Sequence, residues 1–143
     1  MIKYTKCVDI EQKVRSEMKV RKVLVAGDRF WIAKHIIMQV LQALKPEYIV
    51  QGGADRLACE CAIALKIRYI EYPAKWDMYG KSAGPLRNRM MIETEKPELV
   101  IAFHDSIEKS KGTKSMIMLA NNRGVPAHLY RSSGEVSYNY TIV

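Results

Sequence analysis

The sequence predicts a three-layer α/β/α domain around a mainly five-stranded parallel sheet, and three observations predict it. Short apolar runs alternate with longer runs at helical spacing through residues 23–130, the order that builds parallel strands with helices on both faces. The plainest strand runs are continuously apolar, as strands buried on both faces require. A length of 143 residues suits one domain, large enough to bury about two-thirds of the surface exposed by the unfolded chain.

Each element follows from its local pattern. Val23–Ala26 is an apolar run closed by Gly27, read as the first strand of the domain. The next run, Ile32–Leu44, places Ile36, Ile37, Val40, Leu41 and Leu44 at helical spacing, with Pro46 beyond its end. Tyr48–Gln51 is a strand ending at Gly52-Gly53, Ala54–Lys66 a helix with Leu57, Cys61 and Ile63-Ala64-Leu65 on its apolar side, and Ile67–Tyr72 a third strand. A loop is expected over Pro73–Ala83. Pro85 is placed as the first residue of a helix reaching Glu95, since its missing N–H costs nothing there. Leu99–Phe103 is the fourth strand and His104–Lys111 a polar loop. Gly112-Thr113 opens a helix stopped by Gly124, and Val125–Tyr130 is the fifth strand. Residues 1–22 read as a basic N-terminal extension and residues 131–143 as a β-rich tail able to add an edge strand.

Composition narrows the class. With 48% hydrophobic and 27% charged residues, the chain carries no signature of disorder. No run approaches the roughly 18 apolar residues that span a bilayer, and Met1-Ile2-Lys3-Tyr4-Thr5 has no signal-peptide core; a cytoplasmic protein with no membrane partner is expected. Cys7, Cys59 and Cys61 lack the C-x-x-C spacing of redox or zinc motifs and read as reduced thiols. The net charge of +8 fits a nucleic acid or a small polyanion as partner. Seven Lys or Arg against three Asp or Glu in residues 1–22 place half of that surplus in the leader, so the charge alone defines no binding face.

In an open parallel sheet, ligands bind beyond the carboxyl ends of the strands. The loops there read Gly27-Asp28-Arg29-Phe30-Trp31, Gly52-Gly53-Ala54-Asp55-Arg56, Ala83-Gly84-Pro85-Leu86-Arg87-Asn88-Arg89 and Ser110-Lys111-Gly112-Thr113-Lys114-Ser115. Each combines glycine with a basic residue. Glycine lets backbone amides approach a ligand, and helix amino termini favour anions. Arg87, Arg89 and Lys114, placed in first helical turns without a balancing acid, call for an anion between them, and a phosphate supplies one. Trp31 and Trp76 border these loops and offer either base stacking or loop packing. Asp28, Asp55, Asp77, His104 and Asp105 are the acid–base candidates. Neither G-x-G-x-x-G nor a P-loop is present, the histidines at 35, 104 and 128 are scattered, and no metal or cofactor is expected.

Together, Gly27-Asp28-Arg29-Phe30-Trp31, Gly53-Ala54-Asp55-Arg56-Leu57-Ala58, Pro73-Ala74-Lys75-Trp76, Gly80, Ala83-Gly84-Pro85-Leu86-Arg87-Asn88-Arg89-Met90-Met91 and Gly112-Thr113 resemble the successive motifs of the YspA/YpsA-related branch of the SLOG superfamily. The resemblance covers about residues 22–130. It implies a Rossmann-like fold and a pocket for a nucleotide or nucleotide-derived ligand of ADP-ribose, NAD or cyclic-nucleotide type. Distant relatives include the LOG nucleotide phosphoribohydrolases and the DprA-like proteins, which bind single-stranded DNA. The nucleosidases carry Pro-Gly-Gly-x-Gly-Thr-x-x-Glu, whose Glu takes part in the chemistry. In this chain Met116 stands at that position, and the second loop is shorter than the usual Gly-x-Ala-x-Gly-Ala-Asp.

Retained anion-binding groups without the carboxylate favour binding over hydrolysis, because an oxocarbenium-like transition state has lost a partner. The expected function is therefore sensing or sequestration of a small phosphorylated nucleotide-type ligand. Gly27, Asp28, Arg29, Trp31, Gly52, Gly53, Asp55, Trp76, Gly84, Arg87, Asn88, Arg89, Gly112, Thr113 and Lys114 are its expected contacts. A nucleotide hydrolase using Asp28 or Asp55 is the alternative, and a nucleic-acid binder the second. The wider superfamily implies a homo-oligomer.

Overall fold

The computed structural model describes residues 4–6, 20–52 and 56–142. Seven strands form one sheet: β1 (Tyr4–Lys6), β2 (Lys22–Gly27), β3 (Tyr48–Gln51), β4 (Arg68–Glu71), β5 (Leu99–Phe103), β6 (Ala127–Tyr130) and β7 (Glu135–Ser137). Their spatial order is β1-β7-β6-β5-β2-β3-β4. The five strands from β6 to β4 are parallel, and β7 and β1 extend the sheet antiparallel beyond β6. The parallel core is the expected five-stranded sheet and β7 the expected edge strand. β1 comes from the segment read as an extension and had no counterpart among the expected strands.

The helices are α1 (Lys34–Leu44), α2 (Arg56–Ala64), the single turn α3 (Trp76–Tyr79), α4 (Ala83–Met90) and α5 (Lys111–Asn122). Ile36, Ile37, Val40, Leu41 and Leu44 of α1 join Ala58, Cys61 and Ala62 of α2 on one face of the sheet, against Val23, Val25, Ile49 and Ile101. Met116, Ile117 and Ala120 of α5, with Met91 and Ile92 just after α4, cover the other face against Leu24, Val50, Val100 and Ala102. Alternate residues along a strand thus serve opposite layers, as strand alternation demands. Every residue of β5 is buried, and a Leu or Ile fully removed from water contributes about 1.5–3 kcal/mol.

Two local expectations are corrected. Ile32 precedes α1 and is 90% exposed, because the Lys34 N–H bonds to the Ile32 carbonyl in a tight turn before the helix starts. The expected loop 73–83 holds α3 and the 3-10 turn Gly80–Ser82, and α4 begins at Ala83, so Pro85 is its third residue. Proline fits there as well, since the third N–H of a helix also has no partner in the helix. Arg87 and Arg89 consequently lie in the last turn of α4, and the unfavourable helix-start charge expected for them does not arise. Met91–Glu95 continues α4 as a π turn, ended by Lys96 in the left-handed conformation at φ 49°.

One interior group titrates abnormally. His128 of β6 is 1% exposed and lies among Tyr130 and Tyr138, with ring centroids 6.3 and 4.7 Å away. Burial disfavours its charged form and pushes its pKa down to about 4.

Candidate functional site

The chain leaves β2 toward β3 on one side and returns to β5 on the other. Their carboxyl ends therefore flank a topological switch point, where crossover connections diverge and open a crevice. Gly27 and Phe103 are paired there. A Cβ on Gly27 would lie 2.6 Å from the Phe103 carbonyl oxygen, so only glycine lets the two backbones close to this distance. Directly above is a cavity of ≈ 660 Å³, within the range of small-molecule sites.

The described lining comes from four loops. Gly27, Asp28, Arg29 and Phe30 follow β2, and Gly52 follows β3. Lys81, Gly84, Pro85, Arg87, Asn88 and Met91 come from the turn before α4 and from α4 itself, and His104 with Lys109–Thr113, Ser115 and Met116 from the β5–α5 connection. Five cations line it (Arg29, Lys81, Arg87, Lys109 and Lys111), against one carboxylate, Asp28. None of the five pairs with a carboxylate among the described residues.

Arg87 is the most constrained of these. Its Nη1 donates to the Gly52 carbonyl at 2.7 Å and more weakly to that of Tyr72 at 3.4 Å, and its Nε donates to Asn88 Oδ1 at 2.8 Å. The guanidinium is held by neutral acceptors, and burial pulls its pKa below the ordinary arginine value. Gly52 makes room for it, because a Cβ there would come within 2.1 Å of Nη1. A desolvated cation without a counter-charge is costly unless an anion joins it. Asn88, 5% exposed, sits beside it on the cavity wall.

The opposite wall is the start of α5. Ser110 caps the helix, its Oγ accepting from the Thr113 amide at 3.0 Å. The Lys111 and Gly112 amides then remain without an acceptor inside the helix, and no acid occupies the first turn. His104 Nδ1 accepts from the Ser106 amide at 2.9 Å, which leaves Nε2 to carry the ring proton. Met116, 1% exposed, packs under this wall within the core and supplies no acid.

Twelve of the fifteen residues expected to contact a ligand are described, and they divide nine to three. Gly27, Asp28, Arg29, Gly52, Gly84, Arg87, Asn88, Gly112 and Thr113 are brought together on the cavity wall. Trp31 is turned away: it is 7% exposed, packs 5.7 Å from the Phe103 ring, and its Nε1–H donates to the Ala33 carbonyl at 2.9 Å. Arg89 is exposed on the far side of α4 and Lys114 half-buried, both off the described lining. Gly53 and Asp55 lie outside the described residues, as does the side chain of Trp76. Asp28 Oδ1 accepts from the Phe30 amide at 2.9 Å, and Asp105 accepts from the Ser132 amide and hydroxyl at 2.9 and 2.7 Å. Lys81 and Phe30 were not among the expected contacts. The turn closed by the Trp31 amide on the Asp28 carbonyl puts Phe30 at its tip, 74% exposed, and buries its aromatic neighbour.

Fold and site define a Rossmann-like α/β/α protein with a cationic cavity at the switch point of its parallel sheet. The chain matches no protein-family model, no curated protein and no solved structure. Among the described residues no helix is long and apolar enough to cross a membrane, and no group of three or more His, Cys, Asp or Glu could hold a metal ion.

Proposed function

We propose that the chain binds a phosphorylated nucleotide or nucleotide-derived ligand, of ADP-ribose, NAD or cyclic-nucleotide type, and holds it for sensing or sequestration. The observation that carries this reading is Arg87: a partly desolvated guanidinium on the cavity wall, bonded among the described residues only to neutral acceptors. An anion in the cavity would supply its missing counter-charge, and the open amides at the start of α5 face the same space. The resemblance of the loop motifs to the SLOG superfamily supports the same ligand class.

Hydrolysis of such a ligand is the second reading, favoured by Asp28 on the cavity wall. Its engagement with the Phe30 amide and the apolar Met116 in place of a glutamate speak for binding without turnover. A thermal-shift screen against nucleoside phosphates, NAD, ADP-ribose and cyclic nucleotides, with mass spectrometry of each mixture, tests both. A ligand at 100 times its dissociation constant adds about 2.7 kcal/mol of stability. A shift with intact ligand is expected. Cleaved products would establish the hydrolase, and no shift with any of them would remove the nucleotide reading.

A further inference from the structure

A second cavity of ≈ 420 Å³ adjoins the first, and the two share Asp28 and Phe30. Its chemistry differs. Its described lining holds no lysine or arginine; Trp31, Ile32 and Ala33 give it an apolar wall, and Asp28, Asp105, His35 and Ser132 its polar groups. Phe30 stands between the two spaces. The Arg29 guanidinium lies 5.0 Å from the centroid of its ring, yet the side chain remains 74% exposed. A large apolar side chain held at a turn tip between two cavities is suited to contact something that enters them. Asp105 is committed to Ser132 through both oxygens, whereas Asp28 uses only Oδ1 among the described residues, leaving Oδ2 as an acceptor there.

The two cavities follow the carboxyl edge of the sheet from Gly52 beyond β3, past β2 and β5, to Ser132 beyond β6. Three strand spacings cover about 14 Å, a span that a lone phosphate does not fill. Its cationic end takes a polyanion, and its other end, with Asp28 and Asp105 and no lysine or arginine in its described lining, takes a ring with hydrogen-bond donors.

We propose that the second cavity is the ring subsite of the same ligand, with Phe30 as stacking platform and Asp28 Oδ2 as acceptor for a ribose hydroxyl or exocyclic amine. The ligand class narrows to a nucleoside carrying a diphosphate or longer phosphate chain. The inference rests on the reading of the first cavity as the phosphate site.

Calorimetric titration of the full chain with pyrophosphate, ADP, GDP and UDP separates the two. At least one nucleoside diphosphate should bind the wild-type protein roughly tenfold or more tightly than pyrophosphate, as stacking of a base on an aromatic ring supplies. Phe30→Ala should erase that advantage, so that nucleoside diphosphate and pyrophosphate bind this variant equally, and Phe30→Trp should restore it. Asp28→Asn, which keeps the turn acceptor and removes a negative charge from the phosphate cavity, should reduce the ratio of nucleotide to pyrophosphate affinity. Equal binding of pyrophosphate and all three nucleotides, or an equal loss for both in Phe30→Ala, would overturn the ring subsite while leaving the phosphate site standing. Failure of all four probes to bind would overturn the phosphate site and the subsite with it.

Discussion

The two ends of the sheet use the same residue types for opposite purposes. At the amino-terminal end, cations meet acids: Arg21 pairs with Glu47 at 2.5 Å, Lys22 with Glu95 at 3.1 Å and Arg123 with Glu93 at 2.6 Å. Glu98 accepts the backbone amides of Arg21 and Lys22, both at 3.0 Å, and the Tyr72 hydroxyl donates to Glu95. At the carboxyl end, the described lining of the cavity holds five cations and a single carboxylate. A net charge of +8 cannot distinguish the two arrangements. Pairing can: paired charges fasten elements together, and those without a carboxylate partner among the described residues are the ones the proposed anion would meet.

This contrast breaks most visibly at Arg87. Arg87→Met should lower pyrophosphate affinity about a hundredfold, near 2.7 kcal/mol, while equilibrium unfolding in urea changes by less than about 1 kcal/mol, because an uncompensated cation leaves with its hydrogen bonds. A stability loss matching the binding loss would make Arg87 a structural residue and end the contrast.

Both ends must be compared against the interior that joins them, where His128 sets an acid response. Its folded pKa lies near 4, below the ordinary 6.5, so the unfolded chain takes up the proton first. The stability from keeping this ring neutral is complete above about pH 6.5 and lost as pH falls toward 4. Urea midpoints should report a loss on the order of 2 kcal/mol between pH 7 and pH 5. His128→Phe should flatten that slope.

At the amino-terminal end the expected effects are smaller and confined to stability. The hydroxyl of Tyr72 and the ammonium of Lys22 hold the Glu95 carboxyl below its usual pKa, the hydroxyl being the larger influence. Tyr72→Phe should cost about 1.5 kcal/mol in chemical denaturation and, because it keeps the carbonyl that Arg87 contacts, leave pyrophosphate titrations unchanged; altered binding would show that the Glu95 contact reaches Arg87 through Tyr72. Arg21→Ala removes a pair whose side chains are 64% and 63% exposed, and the urea midpoint should hardly move, because solvent and salt screen so exposed a pair.

Much of this fold was legible because strands buried on both faces must be apolar throughout. Val23–Ala26 and Leu99–Phe103 announced the two strands that flank the switch point, and the glycine-bearing loops after them announced the cavity. The route into α4 was not legible, since short turns through Trp76–Ser82 show no helical periodicity and a proline is tolerated anywhere in a first turn. That error placed Arg87 in a first turn, although its importance comes from a contact with Gly52, 35 residues earlier in the chain. The choice between Phe30 and Trp31 was likewise hidden. Adjacent aromatics in a loop look interchangeable until a turn decides which one reaches the core.

Two glycines beside the cavity illustrate how differently positions of one residue type should tolerate replacement. At position 27 the space is closed by the Phe103 backbone, and a library of all substitutions there should return glycine alone among folded clones. At position 112 nothing lies within 4 Å of an added Cβ, and alanine, the better helix former by nearly 1 kcal/mol, should survive readily. Selection for folding would therefore enrich alanine at 112, and selection for ligand retention would reverse that enrichment if the open amide there is the reason for glycine. The disagreement between the two selections measures how much stability this helix start gives up for its ligand.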